Sequence, residues 1–280
     1  MRVKPSFGAK LSFGPTVSFG LLLAVAFLIL VLAAALFAPW LAPYDPLRQD
    51  LAQSFVDPSW RHPFGTDNLG RDVLSRIMWG ARPALLGLSV ALGCTAAIGI
   101  PWGLAAGYLG GIADVVLMRL ADAVLVFPGI ILALVLAAVF GPSLASSMVA
   151  LGLVYSPVLA RVVRSGVLSV RHRDFIVVTA LYGLSSSHRM WRHVLPNALA
   201  PAVVQLTLIA GTSLIAQTGL SFLGIGLQPP WPSWGSSLAE SFRFILVNAS
   251  ATVAPGLTVV LTVLALYRIG DALRDFTETA

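Results

Sequence analysis

The stretch "SFGLLLAVAFLILVLAAALFAPW", residues 18–40, contains no charged side chain, and its length decides the class of fold. About 20 apolar residues are needed to cross a bilayer as a helix, whereas the apolar core of a cleaved signal peptide has about 7–15. Arg2, Lys4 and Lys10 precede the stretch and favour a cytoplasmic flank. We therefore predict an uncleaved first transmembrane helix over residues 18–40, after a cytoplasmic N-terminal tail of residues 1–17.

The rest of the chain continues this apolar pattern. Of its 280 residues, 57% are hydrophobic and 11% are charged, whereas soluble globular proteins are about 25% charged. Further apolar stretches lie at residues 83–106, 115–140, 146–160, 198–220 and 246–267. A spanning backbone has to close its hydrogen bonds internally, and the alternating pattern of barrel strands is missing. The sequence predicts an all-α integral membrane protein with six transmembrane helices.

Arginine and lysine side chains set the predicted orientation, because the cytoplasmic segments of membrane proteins carry an excess of both. If the N-terminus is cytoplasmic, about two thirds of the arginines and lysines lie in cytoplasmic segments. Six crossings place the C-terminus on the same side as the N-terminus. The extracytoplasmic segment would then be residues 41–82, and a five-helix core would occupy residues 83–270. Residues 161–197 would form its large cytoplasmic loop, and residues 271–280 a cytoplasmic C-terminal tail.

Glycine recurs at every fourth position of the second span, at Gly99, Gly103 and Gly107. Small residues at this spacing form one helix face that a neighbouring helix can approach closely. We expect the packing partner to lie within the chain, with a subunit interface as the alternative. Pro128 and Pro157 interrupt other apolar stretches and predict kinks in those helices.

The extracytoplasmic segment ends in "HPFGTDNLGRDVLSRIMWGARP", residues 62–83. Leu69, Val73, Ile77 and Gly80 recur at helical spacing, whereas Arg71, Asp72 and Arg76 are polar. Thr66 or Asp67 suits a helix N-cap. We expect a short amphipathic helix that lies at the outer membrane surface. The acids suggest a calcium loop as the alternative, but the alternating oxygen ligands and the final glutamate of such a loop are absent.

The large loop, residues 161–197, holds six arginines and three histidines but only one acid. Phe175, Thr179 and Tyr182 share one helical face, and Gly183 suits a helix end. Three serines then allow a turn before a second short helix, which is expected to end at Pro196 and continue rigidly into the fifth span. The sequence thus predicts a compact helix–turn–helix element that would transmit movement to that span.

Other functions fit this basic element less well. RNA binding would need a nucleic-acid module or interleaved aromatic residues, and neither is recognisable. His172, His188 and His193 lack acids or cysteines beside them, which disfavours a metal site. The topology rule and contact with anionic lipid would explain the charge of the arginines, but not the ordered spacing from Gly183 to Pro196.

Six short motifs, which together span residues 61–275, resemble one family of membrane transport proteins. In chain order they are "HPFGTDNLGRDVLSR", "GARPALLG", "RHRDF", "RHVLPNALAP", "TGLSFLGIGLQPPWPSWG" and "GDALRD". They are similar to the second permease subunit of dipeptide and oligopeptide importers, which are ATP-binding-cassette (ABC) transporters of the bacterial cytoplasmic membrane. The resemblance implies the architecture of a type I ABC importer permease with six transmembrane helices.

The resemblance also implies a function and a set of partners. The chain would be the permease of an ATP-driven importer of dipeptides or oligopeptides, and would form half of the translocation pathway. Its expected partners are a second homologous permease, one or two ABC ATPase subunits that bind ATP and Mg²⁺, an extracytoplasmic peptide-binding protein and membrane lipid, with no nucleic acid. The permease itself would hydrolyse nothing and bind no cofactor or metal. Nickel and haem importers share this type of permease, so the cargo stays open.

In this family the large cytoplasmic loop, called the EAA loop, forms a coupling helix seated in a groove of the ATPase. Closure of two ATPase subunits would pull on the loop and rock the spans between inward-open and outward-open states. Gly183 and the segment from His193 to Asn197 match the family motif. The residues expected to form the coupling loop are Phe175, Thr179, Tyr182, Gly183, Arg189, Arg192, His193, Leu195, Pro196 and Asn197.

Two places depart from the family pattern. Val177, Val178 and Thr179 replace the Glu-Ala-Ala of the EAA loop, and Gln217 stands where an acid often precedes "TGLSFLG". Without the glutamate, contact with an ATPase is expected to depend more on shape, on apolar area and on the surrounding arginines.

The aromatic and proline-rich stretch "LQPPWPSWG", residues 227–235, is expected outside, between the fifth and sixth spans. The resemblance implies an outer mouth where a peptide-binding protein docks. A proline-stiffened loop with tryptophans in the interfacial belt is the structural alternative. Both interpretations stay open.

A secondary carrier driven by an ion gradient is the main alternative function. Such carriers generally need an ionisable residue within the membrane. Asp114 and Asp122 fall near a cytoplasmic helix end, and the centres of the apolar stretches contain no acid. An intramembrane enzyme is disfavoured because the HExxH and GxSxG patterns are missing.

Overall fold

The computed structural model describes residues 19–141, 143–228 and 230–279, and in these ranges all regular elements are helical. The predicted N-terminal tail, residues 1–17, lies outside the described residues. The α-helices are α1 (Phe19–Leu41), α2 (Val73–Leu109), α3 (Gly111–Leu125), α4 (Gly129–Phe140), α5 (Leu144–Val170), α6 (Asp174–Leu181), α7 (Ser186–Arg189), α8 (Leu195–Ala198), α9 (Ala200–Phe222), α10 (Trp234–Phe242) and α11 (Ser250–Thr279). A 3₁₀ turn forms at Leu51–Gln53, and Met190–Val194 is π-helical.

Helices α1, α2, α5, α9 and α11 are long and apolar enough to cross a membrane, and α3 with α4 makes a sixth span if that bent pair counts as one. The predicted all-α membrane fold is therefore confirmed. Helices α6–α8 lie at one end of the bundle, which we call the α6 end. Helix α10 and residues 42–72 lie at the opposite end, the α10 end.

The third span consists of two helices that meet at Pro128, where the sequence predicted a kink. Helices α3 and α4 are bent by 89° relative to each other. Pro128 has an extended ψ of 121° and precedes the first residue of α4. A proline has no backbone N–H and disfavours helical torsion angles in the residue before it, which ends α3 at this point.

The glycine stripe of α2 packs against α5. A Cβ atom at Gly99 would lie 2.7 Å from the Ser156 carbonyl oxygen, and one at Gly107 would lie 2.8 Å from Val167 Cβ. Only glycine permits helix backbones to come this close. The expectation of an intramolecular partner for the stripe is thereby confirmed.

Helix α2 begins earlier than the membrane span requires. It starts at Val73 and runs without a break to Leu109, so the separate surface helix expected here was wrong. Its N-cap is Asp72, whose side chain accepts from Ser75 N at 2.8 Å, and neither Thr66 nor Asp67 holds that position. The apolar spacing was interpreted correctly as helical, but the helix is an extension of the second span at the α10 end.

Two further boundaries differ from the sequence-based expectation. Helix α5 continues to Val170, so the segment between α5 and α9 begins near residue 171 and not at residue 161. Helix α11 continues to Thr279, so the expected C-terminal tail is helical over residues 271–279. Both helices extend beyond their apolar stretches because helical hydrogen bonding does not stop where the hydropathy falls.

Arg82 ties α1 to α2 at a carbonyl that a proline leaves free. Pro39 lies inside α1, and without an N–H it cannot donate to Ala35, four residues earlier. Arg82 Nε donates to the Ala35 carbonyl oxygen at 2.6 Å, and Arg82 Nη2 donates to Leu36 O at 3.1 Å. The guanidinium thus supplies the missing donor and anchors a helix that is otherwise largely exposed.

Replacing Arg82 with leucine is therefore expected to destabilise the purified protein by about 1.5–3 kcal/mol, the range for a hydrogen bond to a charged group. In a Pro39→Ala background the same replacement is expected to cost less, because the alanine introduced there has a backbone N–H that can donate to Ala35 O. Thermal unfolding of the wild type, both single variants and the double variant measures the coupling. Effects that add within about 0.5 kcal/mol would show that Arg82 does not serve this carbonyl.

Candidate functional site

The segment between α5 and α9 folds into the predicted helix, turn and second helix. Helix α6 spans Asp174–Leu181, and Gly183 follows with φ +74°. The Ser185 side chain then caps α7 by accepting from His188 N at 3.3 Å. The turn at Gly183 is confirmed, and its torsion angle is one that glycine adopts without strain.

The second helix does not end at Pro196, so that part of the sequence-based prediction was wrong. Pro196 lies in the first turn of α8, a position where proline is tolerated because its fixed φ suits a helix. Leu199, between α8 and α9, keeps helical torsion angles of φ −79° and ψ −21°. The polypeptide therefore winds from α7 through the π-helical turn and α8 into α9 without an extended linker.

This segment is anchored on α5 by buried apolar side chains. Ile176 of α6 and Val194 of the π-helical turn are buried in one cluster with Val163, Val167 and Val170 of α5. Gly166 lets α8 approach α5 closely, since a Cβ there would meet the backbone of Ala198. Burial of this apolar area fixes the segment to the bundle.

The opposite side of the segment presents apolar side chains outward. Phe175 and Val178 are 43% and 45% exposed, Tyr182 is 83% exposed, and Trp191 is 47% exposed. Thr179 is half-buried, and its hydroxyl donates to Ile176 O at 2.6 Å. Phe175, Val178 and Tyr182 are three and four residues apart and therefore share one face of α6, and exposed apolar side chains grouped in this way typically mark an interaction site. We call the exposed side chains of Phe175, Val178, Tyr182 and Trp191 the coupling surface.

Basic side chains surround the coupling surface. Arg192 is exposed, and Arg189 is half-buried with Nη2 donating to Ser186 Oγ at 3.2 Å. Arg189 Nε is buried without a partner among the described residues. The ring of His193 lies 5.6 Å from the ring of His188.

The remaining candidate residues belong to the helix that leads into α9. Asn197 Nδ2 donates to the His193 carbonyl oxygen at 2.7 Å. Leu195 is half-buried, and Pro196 is exposed. The ten candidate residues therefore lie on one segment, some on its coupling surface and some in the connection to α9.

Three arginines that were assigned to the basic loop have structural partners instead. Arg164 makes a bidentate pair with Asp114, both distances being 2.5 Å, and Arg161 Nη2 lies 2.5 Å from Asp122 Oδ1. Arg171 Nη1 donates to Gly107 O at 2.7 Å. The first two contacts pair α5 with α3, and they engage both acids that were considered for an ion-driven carrier.

A group at the α10 end combines three buried charged side chains with a half-buried glutamate. Arg71 Nε lies 2.6 Å from Asp67 Oδ2, and Arg71 also pairs with Glu240 of α10. Arg76 Nη2 lies 3.3 Å from Glu240 Oε2. We call Asp67, Arg71, Arg76 and Glu240 the outer charge cluster. It joins the beginning of α2 to α10.

The two tryptophans of "LQPPWPSWG" differ in their exposure to solvent. Trp234 is 2% exposed, and its Nε1 donates to Ile77 O at 2.9 Å, so neither a docking role nor a place in an interfacial belt fits it. A Cβ at Gly80 would lie 2.9 Å from the indole, which shows that glycine makes room for the ring. Trp231 is 56% exposed and remains compatible with either interpretation.

Comparison with known proteins places this helical bundle in a class of transporter subunits. Residues 99–278 match the model of the binding-protein-dependent transport system inner membrane component. Residues 21–58, which include most of α1, match the N-terminal transmembrane domain of oligopeptide transport permease C. The chain belongs to the family of binding-protein-dependent transport system inner membrane components, and is thus a multi-pass permease component.

Individual relatives are similar over most of their length. The chain is 40% identical to the di/tripeptide transport system permease protein of Pseudomonas aeruginosa over 256 residues, which is 89% of this chain and 84% of that protein. It is 38% identical to the dipeptide permease protein of Alkalihalophilus pseudofirmus, covering 90% and 84%. It is 40% identical to the glutathione permease protein of Escherichia coli, also covering 90% and 84%.

A solved structure shares the fold. The inward-facing MetNI methionine ABC transporter contains a chain that superposes with a TM-score of 0.58 and 21% identity. The match covers 72% of this chain and 95% of the other. The chain therefore shares its fold with a chain of an ABC transporter, which agrees with the predicted architecture.

Proposed function

We propose that this chain is the permease subunit of an ATP-driven importer for dipeptides, tripeptides or related short peptides. It would form half of a translocation pathway, with a second homologous permease as the other half. The cargo class is supported by relatives named for dipeptides, di/tripeptides and glutathione, which is itself a tripeptide. Nickel and haem remain the alternative cargoes of the same class of importer.

The coupling surface is the observation that carries the proposal. Its apolar side chains project from a segment that is anchored on α5 and winds directly into α9. A groove on an ATPase that accepted Phe175, Val178 and Tyr182 would bury apolar area, and docking of this kind favours association. Movement of the groove would then displace α9 together with the cytoplasmic half of α5, and alternate the access of the pathway.

The orientation follows from this role. The ATPases bind ATP and Mg²⁺ in the cytosol, so the α6 end would face the cytoplasm, and both termini would lie on that side. The arginine and histidine side chains at the α6 end agree with the topology rule. The α10 end would then face the extracytoplasmic binding protein that delivers the peptide. This subunit would contribute motion and shape, while the ATPases carry out hydrolysis.

Transport by the purified complex in lipid vesicles tests the proposal. Uptake of a labelled dipeptide or tripeptide is expected to require ATP and the binding protein, and to persist when ionophores collapse proton and sodium gradients. Nickel ions and haem are expected not to compete. Uptake that follows an imposed proton gradient without ATP would instead establish a secondary carrier. That outcome is not expected, because both acids considered for a carrier are paired with arginines.

A further inference from the structure

We call residues 172–199, which connect α5 to α9, the coupling segment, and Arg171 occupies its junction with α5. It is the residue directly after α5, with helical torsion angles of φ −60° and ψ −21°, and its N–H still bonds to Val167 O. Its side chain extends away from this junction, and Nη1 donates to the carbonyl oxygen of Gly107 at 2.7 Å. One residue therefore contacts both the start of the coupling segment and the end of α2.

The acceptor is a group that a helix leaves unsatisfied. Helix α2 ends at Leu109, and the last four carbonyl groups of an α-helix have no N–H partner within the helix. A cation near these carbonyls also interacts favourably with the helix dipole. Arg171 therefore caps the C-terminal end of α2 through a charge-assisted hydrogen bond, which is stronger than a neutral one.

The turn after α2 makes room for this guanidinium. Gly110 has φ +66°, and a Cβ atom on it would lie 3.2 Å from Arg171 Nη1. The same turn leads into α3, whose Asp114 forms the bidentate pair with Arg164 of α5. The ends of α2, α3 and α5 are thus joined by polar contacts next to the coupling segment.

We propose that Arg171 is a positioning residue for energy coupling, which holds the end of α2 to the start of the coupling segment so that both move together. This inference rests on the proposed function. The segment is anchored on α5 by apolar packing, whereas the Arg171 bond is a direct link from the same junction to α2. Loss of the bond would let the start of the coupling segment shift relative to the end of α2, which stays packed on α5 through its glycine stripe, so that hydrolysis is only partly converted into transport.

The test compares Arg171→Gln with Arg173→Gln in the assembled transporter. Arg173 is two residues away and exposed, and its side chain makes no hydrogen bond or ion pair within the described residues. Arg171→Gln is expected to raise the number of ATP molecules hydrolysed per imported peptide about fivefold or more, the lower end of usual coupling strengths. Arg173→Gln is expected to stay within about twofold of the wild type, and Arg171→Lys, which keeps the charge, to fall between them.

A second measurement separates coupling from folding. Spin labels at the exposed residues Leu109 and Asp174, in a Cys94→Ser background, report the distance between the end of α2 and the start of α6. The Arg171→Gln variant is expected to broaden this distance distribution during ATP turnover, with the amount of bound ATPase unchanged. An unchanged distribution, or equal ATP-to-peptide ratios for the two glutamine variants, would overturn the role of Arg171. Absence of ATP-driven uptake in the wild type would instead refute the proposed function.

Discussion

Replacing Gly183 with valine is expected to uncouple ATP hydrolysis from peptide import. Gly183 has φ +74°, a backbone conformation that costs a residue with a side chain about 1–2 kcal/mol and a β-branched residue more. A Cβ atom at this position would meet nothing within 4 Å, so the effect comes from the backbone and not from a clash. The turn would change, and with it the position of α6 relative to α7.

The measurement is the rate of peptide import and of ATP hydrolysis in the reconstituted complex. A penalty of about 1–2 kcal/mol corresponds to a factor of about 5–30 in the population of the native turn, so import by Gly183→Val is expected to fall about tenfold while hydrolysis continues. Gly183→Asn is the matched control, since asparagine tolerates a positive φ. Import that is equal in the valine and asparagine variants would show that the turn geometry plays no part in coupling.

Two of the residues that replace the family's Glu-Ala-Ala expose apolar side chains on α6. Val177 and Val178 are 49% and 45% exposed at the α6 end. Two β-branched apolar side chains on this helix add to the apolar area of the coupling surface where a charged group would otherwise stand. Docking on an ATPase is therefore expected to be dominated by shape and apolar burial, with the arginines at its edge.

Local features of the fold were predictable from the sequence. The long apolar stretches predicted their helices because bilayer thickness and internal hydrogen bonding leave few other solutions. The turn at Gly183 followed from a glycine between an amphipathic helix and a serine cluster. The candidate residues on one face of α6 followed from helical spacing. Each of these features depends on residues that are close together in the chain.

Features that depend on distant residues were missed. Arg71 and Arg76 were interpreted as the solvent face of a surface helix, but they are 4% and 2% exposed. Their partner Glu240 lies 169 and 164 residues further along the chain, and no pattern in the sequence near Arg71 or Arg76 predicts this pairing. The bond from Arg171 to Gly107 was missed for the same reason, since the topology rule already explained an arginine at that position.

The outer charge cluster gives the largest expected effect on stability. Replacing Asp67 with asparagine removes one of its two carboxylates and leaves Arg71 and Arg76 to share Glu240. The asparagine side chain can still accept from Leu69 N and Arg71 N, as Asp67 Oδ1 does at 2.9 and 3.0 Å, so the turn is retained, while the charge and the acceptor for Arg71 Nε are lost. Breaking a buried ion pair costs about 3–5 kcal/mol because it leaves an uncompensated charge. Thermal unfolding of the purified permease, followed by tryptophan fluorescence, is expected to show this loss.

The expected loss of stability comes mainly from the uncompensated positive charge that replacement of Asp67 leaves behind. Adding Arg71→Met to Asp67→Asn leaves Arg76 and Glu240 as a balanced pair, and apolar replacement of a buried pair is often neutral. The double variant is therefore expected to be more stable than Asp67→Asn alone. Asp57→Asn, which removes an exposed acid of the same outer segment, should change stability by no more than about 0.5 kcal/mol. A double variant that is less stable than Asp67→Asn would mean that Arg71 stabilises the α10 end through its remaining contact with Glu240, independently of Asp67.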